Sequence, residues 1–266
     1  MTPLFLLNGI LSGKEDARLA KDTYIFRRIE KKYMITPAQR ESLMEQISHL
    51  LIPDAYGKST ICSVYLDTPD FRLIRASIDA KVYKEKLRLR SYGTPNDDSR
   101  VFLEIKKKFK GVVYKRRISL TLAQATAYFE RGERPFDSQI MREIDYAMRF
   151  YGQPAPAALI AYEREAYFVR DLPALRITFD TGVRYRLTEL SAKFGSDGTP
   201  IIPADCILME IKTDGAMPCW LATALDRARI FPSSFSKYGT AYREFALHQP
   251  SPYQISKGEP QNAGIV

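Results

Sequence analysis

The segment KLRLRSYG, residues 86–93, places a cationic side chain at every second position: Lys86, Arg88 and Arg90. Residues two apart share one face of a β-strand, so these cations would form a single file opposite Leu87 and Leu89. Each planar guanidinium can grip two phosphate oxygens, which makes such a file suitable for binding phosphates. A single strand of this kind is also typical of a solvated sheet face, so the remaining strands must decide between the two interpretations.

The same alternation of charged and apolar residues recurs in other predicted strands along the chain. It occurs in IEKKYMI, LEIKKK, VYKRRIS, YEREAY, LRITFD and ILMEIKT, with Ile, Leu and Met on the opposite face. The polar face of these strands carries Glu30, Lys32, Glu104, Lys106, Lys115, Arg117, Tyr162, Arg164, Arg176, Asp180, Glu210 and Lys212. The cationic face is therefore a property of a whole predicted sheet.

Helical patterns lie between these strands. Thr36 and Pro37 begin one amphipathic segment, Gly132 ends another, and Asp137 is positioned to cap a third, DSQIMREIDYAMRFYG. A fourth pattern is CWLATALDRARIF. Helices need apolar sheet surface to cover, and only the Leu and Ile faces offer it.

The sequence therefore predicts an α+β fold in which a sheet of about seven strands curls into a barrel with helices packed outside. The charged faces would converge on a shared interior. Crowded cations repel strongly unless an anion neutralises them, and a chain of phosphates is the natural occupant.

Composition agrees with a polyanionic ligand. The 266 residues contain 40 Lys plus Arg against 31 Asp plus Glu, a formal net charge of +9. Three scattered cysteines argue against a disulfide framework or a zinc site and favour a reducing, cytoplasmic location. With only two histidines, a catalytic triad or a histidine metal site is not expected.

We expect three segments in the chain: an N-terminal leader at 1–22, the tunnel domain at 23–247, and a disordered tail at 248–266 rich in Pro, Gly, Gln and Ser. The apolar stretch PLFLLNGIL in the leader is too short to span a bilayer, and no transmembrane segment is predicted.

The order of these motifs resembles the polyphosphate-polymerase (VTC) domain, a branch of the CYTH or triphosphate tunnel metalloenzymes. The matching elements are EKKY, SVYLD, RLRSYG, LEIKKK, YKRR, YEREAY, RITFD, LMEIK and FSKY, over about Phe26 to Phe245. The chain departs from the wider superfamily's opening ExExK by having Arg28 at the first glutamate, as the polymerase branch does. It also has Ser234 where polymerase domains carry a basic residue.

The resemblance implies an antiparallel β-barrel tunnel of about eight strands that binds ATP and polyphosphate, with Mn²⁺ or Mg²⁺ as the cofactor. By position, Arg88, Arg90, Lys106 and Arg164 would be catalytic, and Glu210 and Glu30 would hold the metal. The implied substrate-binding residues are Lys32, Lys115, Arg117, Tyr162, Lys212, Ser236 and Lys237. The reaction would transfer the γ-phosphoryl group of ATP to a growing polyphosphate chain.

Several alternatives stay open at this point. Water in the acceptor position would make the protein a metal-dependent triphosphatase, and a domain without turnover would be a polyphosphate-binding module. Glu104 and Glu210 could be salt-bridge partners, Asp67 and Asp180 could orient arginines, and Tyr65 and Tyr92 could be wall packing. No RNA-binding motif is present, so no specific nucleic acid is expected. A membrane-protein partner, the oligomeric state and the product length are left open.

Overall fold

The computed structural model describes residues 29–80, 82–110 and 112–248, and these form one ten-stranded antiparallel sheet with six α-helices. The strands are β1 Ile29–Ile35, β2 Leu51–Pro53, β3 Ser59–Asp67, β4 Tyr83–Tyr92, β5 Arg100–Phe109, β6 Val112–Thr121, β7 Ala155–Val169, β8 Leu172–Arg186, β9 Thr199–Pro200 and β10 Ile207–Thr213. The helices are α1 Pro37–Ile47, α2 Arg72–Asp79, α3 Leu122–Arg131, α4 Gln139–Phe150, α5 Cys219–Arg227 and α6 Lys237–His248. The predicted leader, Arg28 and the predicted tail beyond His248 lie outside the described residues.

Eight strands form the wall in the order β1-β10-β8-β7-β3-β4-β5-β6, while β2 pairs with β7 and β9 with β8. Within the described chain, β1 and β6 end this path without pairing with each other. The sheet nevertheless curls. Its curvature brings Lys106 Nζ on β5 to 3.4 Å from the Glu30 carboxylate on β1. The predicted α+β tunnel fold with helices outside is confirmed, with a sheet that is not closed by backbone pairing between β1 and β6 in the described chain.

The apolar faces of the strands point outward and are covered by helices. Leu87, Leu103 and Ile118, on three neighbouring strands, pack with side chains of α3 and α4. On the other side of the molecule, β1, β8 and β10 pack against α1 and α5. Burial of these faces outside the barrel leaves the charged faces for the interior.

The ends of the helices mostly follow the sequence. Thr36 forms a capping box with Gln39, and Gly132 ends α3 in the left-handed conformation at φ 70°. The predicted cap Asp137 is wrong. The Ser138 hydroxyl accepts the bond from Met141 N, and Asp137 pairs with Arg142 instead.

Two helices, α2 and α6, were not predicted. The carboxylate of Asp67 at the end of β3 accepts hydrogen bonds from Leu73 N at 2.8 Å and Ile74 N at 3.0 Å, so it caps α2 from the preceding strand. It also accepts one from the Tyr238 hydroxyl of α6 at 2.9 Å. The prediction that Asp67 orients an arginine is therefore wrong, and Asp67 ties both helices to the barrel.

None of the helices in the described chain has the length and apolar character needed to cross a membrane.

Candidate active site

The polar faces of the strands enclose a cavity of about 920 Å³. Twelve Lys and Arg side chains line it: Lys32, Lys86, Arg88, Arg90, Arg100, Lys106, Lys115, Arg117, Arg164, Arg176, Lys212 and Lys237. The carboxylates among the described lining residues are Glu30, Asp54 and Glu210. All of the predicted site residues line this cavity. The uncharged ones among them are Ser236 and Tyr162.

Arg88 makes three polar contacts with two partners, Glu104 and Tyr65. Its Nε and Nη2 donate to one oxygen of the buried Glu104 carboxylate at 2.7 and 2.6 Å, and its Nη1 donates to the Tyr65 hydroxyl at 3.2 Å. Lys115 contacts the other Glu104 oxygen at 2.6 Å. These contacts confirm the interpretation of Glu104 as a salt-bridge partner. Burial raises the pKa of Glu104, but Arg88, Arg90 and Lys115 hold it well below its usual range.

Three groups around Arg88 have shifted pKa values. Burial lowers the pKa of Lys86, nearby cations lower it further, and it falls to about 8 although Tyr65 opposes the change. Burial also lowers the pKa of Lys115 to about 8, against the attraction of Glu104. Burial would raise the pKa of Tyr65, but Arg88, Lys86 and Arg90 bring it down to about 7.

Arg164 and Lys237 form a second supported pair of cations. Arg164 donates two bonds to the fully buried Asp180, at 2.6 and 2.7 Å, and Lys237 donates a third at 2.6 Å. Asp180 thus orients an arginine, as the sequence suggested. Both cations also lie against the Tyr162 ring, with Arg164 Cζ at 5.1 Å and Lys237 Nζ at 4.4 Å from its centroid.

Glu210 lies at the centre of four cations. Lys212 is 2.7 Å from its carboxylate, Arg164 and Lys237 are each at 3.4 Å, and Lys32 is at 3.9 Å. Burial opposes ionisation, but these charges hold the pKa of Glu210 well below its usual range. Glu210 is therefore ionised.

Glu30 is the second carboxylate on this face. Cross-strand pairing sets Glu30 opposite Lys212 and Lys32 opposite Glu210, so the two glutamates are diagonal neighbours across β1 and β10. Burial raises the pKa of Glu30, but Lys106 and other cations bring it to about 2. Both glutamates are anions at neutral pH.

Glu30, Glu210 and the oxygens near them are candidate metal ligands in the cavity. No group of three or more His, Cys, Asp or Glu residues suited to holding a metal occurs in the described ranges. The Thr178 hydroxyl, paired across strands with Glu210, is buried with no hydrogen-bond partner. Two carboxylates and a hydroxyl fit a hard cation such as Mg²⁺ or Mn²⁺ whose remaining ligands are phosphate oxygens and water.

The N-terminus of α6 also faces the cavity. The Ser236 hydroxyl accepts from Gly239 N at 3.1 Å and from Lys86 Nζ at 3.0 Å. Lys32 Nζ donates to the Phe235 carbonyl at 2.8 Å. The helix dipole therefore adds positive potential next to Lys86, which favours a bound anion.

The predicted residue set omits several groups that line the site, among them Lys86, Tyr65 and Arg176. Lys86 follows the same two-residue spacing as Arg88 and Arg90, so the period alone could have identified it. The sequence favours wall packing for Tyr65, yet its hydroxyl accepts a hydrogen bond from Arg88. Arg176 pairs with Asp54, a contact between β8 and the loop after β2 that no local spacing reveals.

Comparison with known proteins agrees with this architecture. The VTC domain profile matches residues 27–246. A search of curated protein sequences gave no match. A solved structure of a "putative adenylate cyclase" from Bacillus halodurans has a TM-score of 0.50 and 13% identity, covering 81% of this chain and 95% of that one.

Two further solved structures are less similar in shape. A Hippeastrum protein described as a "putative adenylyl cyclase" with a dominant triphosphatase activity has 15% identity and a TM-score of 0.48, covering 85% of this chain and 98% of its own. A "putative adenylate cyclase" from Vibrio parahaemolyticus has 11% identity and a TM-score of 0.43, covering 82% and 99%. The profile match extends over most of the chain, and the chain therefore belongs to the VTC domain family.

Proposed function

We propose that the protein is a polyphosphate polymerase that transfers the γ-phosphoryl group of ATP to the end of a polyphosphate chain in the cavity. The observation that carries the proposal is the imbalance of charge: twelve cationic side chains line the cavity against three carboxylates. A site of this kind favours two polyanions close together, because its cations offset their mutual repulsion.

Arg88, Arg90, Lys106 and Arg164 are proposed to neutralise the oxygens of the transferring phosphoryl group. Phosphoryl transfer depends chiefly on in-line positioning and charge stabilisation, so no side-chain nucleophile is needed. The remaining predicted residues would bind the flanking phosphates, namely Lys32, Lys115, Arg117, Tyr162, Lys212, Ser236 and Lys237.

Buried carboxylates fix the key cations before any substrate binds. Glu104 holds Arg88, and Asp180 holds Arg164 and Lys237, with N–O distances of 2.6–2.7 Å. Cations fixed in this way need little reorganisation as charge develops on the phosphoryl group. The paired carboxylates therefore support catalysis without contacting substrate.

Glu210 and Glu30 are proposed to hold Mn²⁺ or Mg²⁺ together with phosphate oxygens. The bound ion would supply further neutralisation of charge on the phosphates. Without the metal ion, the charge of Glu210 is neutralised by Lys212, Lys237, Arg164 and Lys32. A bound phosphate would compete with Glu210 for these four cations. Metal and substrate are thus expected to bind together.

Synthesis is preferred over hydrolysis because of Arg28, which lies outside the described residues. A carboxylate at that position would help to place an attacking water, whereas a cation attracts a second polyanion as acceptor. We expect Arg28→Glu to shift the product ratio from polyphosphate towards orthophosphate.

The test is incubation of the purified full chain with ATP and Mn²⁺ or Mg²⁺, with polyphosphate resolved on a gel and orthophosphate measured in the same reaction. Chains should lengthen with time only when metal is present. If the unmodified protein releases only orthophosphate from ATP or tripolyphosphate, it is a triphosphatase. If it binds polyphosphate without consuming ATP, it is a binding module.

A further inference from the structure

One rim of the cavity carries aromatic rings that the phosphate chemistry does not use. Tyr56 and Tyr92 are 77% and 47% exposed, although both line the cavity. Their rings stack at 6.2 Å with an interplanar angle of 20°, and Phe102 meets Tyr92 edge-on at 5.8 Å. Their ring faces are thus open to solvent beside a cationic cavity, where they are available to stack on a planar ligand.

The chain builds the two tyrosines into the rim in the same way. Each precedes a glycine in the left-handed conformation, Gly57 at φ 55° and Gly93 at φ 73°. Gly57 N donates to the Asp54 carbonyl at 3.0 Å, and Gly93 N donates to the Thr60 carbonyl at 2.8 Å. Tyr56 is therefore held in a tight turn between β2 and β3, whereas Tyr92 lies at the end of β4, where the next residue is hydrogen-bonded to β3.

The rim continues the file of cations on β4. Tyr92 lies two residues beyond Arg90 on the same strand face, at a distance of about 7 Å along the strand. Arg88 and Lys86 follow at equal steps, and Lys86 contacts Ser236 beside α6. The aromatic rim and the α6 end are thus about 20 Å apart along one wall strand.

Further cations border the rings. Arg100 and Arg117 line the same part of the cavity, and Arg117 Cζ lies 4.8 Å from the centroid of the Phe102 ring. A ligand with an aromatic end and a triphosphate end would match this order of groups. Stacking on a tyrosine does not depend on which base is present, since every base has a π-face.

We propose that Tyr56 and Tyr92 form a nucleoside subsite, where the base of the donor nucleotide stacks while its phosphates extend past Arg90 towards Lys86. The inference rests on the proposed function only in taking a nucleoside triphosphate as the donor. It also assigns a direction, with the nucleoside at the aromatic rim and the terminal phosphate towards α6.

The experiment compares two ligands that share a triphosphate and differ in the base. Calorimetry with the full chain measures dissociation constants for ATP and for inorganic tripolyphosphate in the same buffer. Tyr92→Ala and Tyr56→Ala should each weaken ATP binding by about 5- to 100-fold, the range for loss of one base-stacking ring. Tripolyphosphate binding should stay within about twofold of the unmodified protein in both variants.

Two controls sharpen the result. Tyr92→Phe keeps the ring and should keep ATP affinity, and Tyr114→Ala, which removes a half-exposed tyrosine outside the cavity, should change neither ligand. Affinities for GTP, CTP and UTP should lie within about tenfold of ATP, because stacking gives little base readout.

Equal losses for ATP and tripolyphosphate in the alanine variants would overturn the subsite, since the tyrosines would then shape the cavity alone. Unchanged affinity for both ligands would overturn it as well. Failure of the polymerase proposal is distinguishable, because a protein that only hydrolyses ATP would still show the difference between the two ligands.

Discussion

Burial and neighbouring cations lower the pKa of some cavity lysines below that of a lysine in water. Lys86 and Lys115 both have a pKa of about 8, with burial as the largest cause and neighbouring cations as a further one. Phosphates bound beside them would stabilise the charged form and raise both pKa values. In the free protein at pH 8 the two lysines are therefore partly deprotonated, and we expect them to take up protons when the ligand binds.

This predicts proton uptake when tripolyphosphate binds at pH 8. The uptake is expected to decline at pH 6.5, where both lysines are already charged in the free protein. Calorimetry in buffers of different ionisation enthalpy measures it directly. Lys86→Met should reduce the uptake, whereas Lys107→Met, on the outer face, should not. A binding enthalpy independent of the buffer at pH 8 would contradict the lowered pKa values.

Glu210 gives a second prediction at the residue scale. Glu210→Gln removes the charge that neutralises Lys212, Lys237 and Arg164, so metal-free tripolyphosphate should bind as tightly as before or more tightly. Metal-dependent turnover should fall by about 100-fold or more, the scale for loss of a group that stabilises the transition state.

The matched control for this change is Glu165→Gln, because Glu165 pairs with Arg40 at 2.6 Å and does not line the cavity. Both variants are assayed for turnover against Mn²⁺ concentration and for metal-free binding. Full metal-dependent activity in Glu210→Gln would show that Glu210 does not bind the metal.

Among the elements, β4 shows how one strand serves both the core and the site. Leu87 is fully buried under the helices, while Arg88 beside it lines the cavity. Alternate residues of a strand point to opposite sides of the sheet, so adjacent substitutions should have separate effects.

Leu87→Ala should lower the free energy of unfolding by about 2–5 kcal/mol, the range for a large-to-small change in a packed core. Tripolyphosphate affinity of the folded protein should change little. Arg88→Met should instead weaken tripolyphosphate binding and slow turnover. Urea denaturation measures the free energy of unfolding of each variant, and calorimetry measures its affinity for tripolyphosphate. Equal losses of affinity in the two variants would mean that the two faces of β4 are not independent.

How far the elements follow from sequence depends on whether their signals are local. Alternation in the strands and the caps at Thr36 and Gly132 are local, and they predicted β4, α1 and α3. The start of helix α2 carries no usual cap signal, because Phe71 before it is left-handed at φ 57° and its first N–H groups donate to Thr68 and Asp67 further upstream. Helix α6 contains Gly239 and is fixed to the barrel by distant contacts.

The same limit applies to the candidate site. Period-two spacing identified most of the cations, since strand geometry dictates which residues share a face. The pairing of Glu104 with Arg88 and Lys115 joins three strands, and the Tyr56–Tyr92 stack joins a turn to a strand end. Such contacts depend on how the sheet curls, which alternation alone does not determine.

At the scale of the molecule, the net charge of +9 and the cationic cavity act together on anionic ligands. Salt screens these interactions, and phosphate contacts release counterions. We expect tripolyphosphate affinity to fall about tenfold or more between 50 and 200 mM salt, with a steeper fall for longer polyphosphate. Titrations at several salt concentrations test this, and a flat response would show that the cavity cations are not the binding surface.

The seam between β1 and β6 has a consequence for long polymers. Backbone hydrogen bonds join the neighbouring strands of the wall but not β1 to β6 in the described chain, and Lys106 of β5 contacts Glu30 of β1 on this side of the cavity. Phosphates would compete with Glu30 for that lysine, so a bound polymer would weaken the contact between the two sides of the seam. A polymer could then be laid in sideways along its length, without threading from a free end. Large ring-shaped polyphosphates, which have no ends, would distinguish lateral loading from threading.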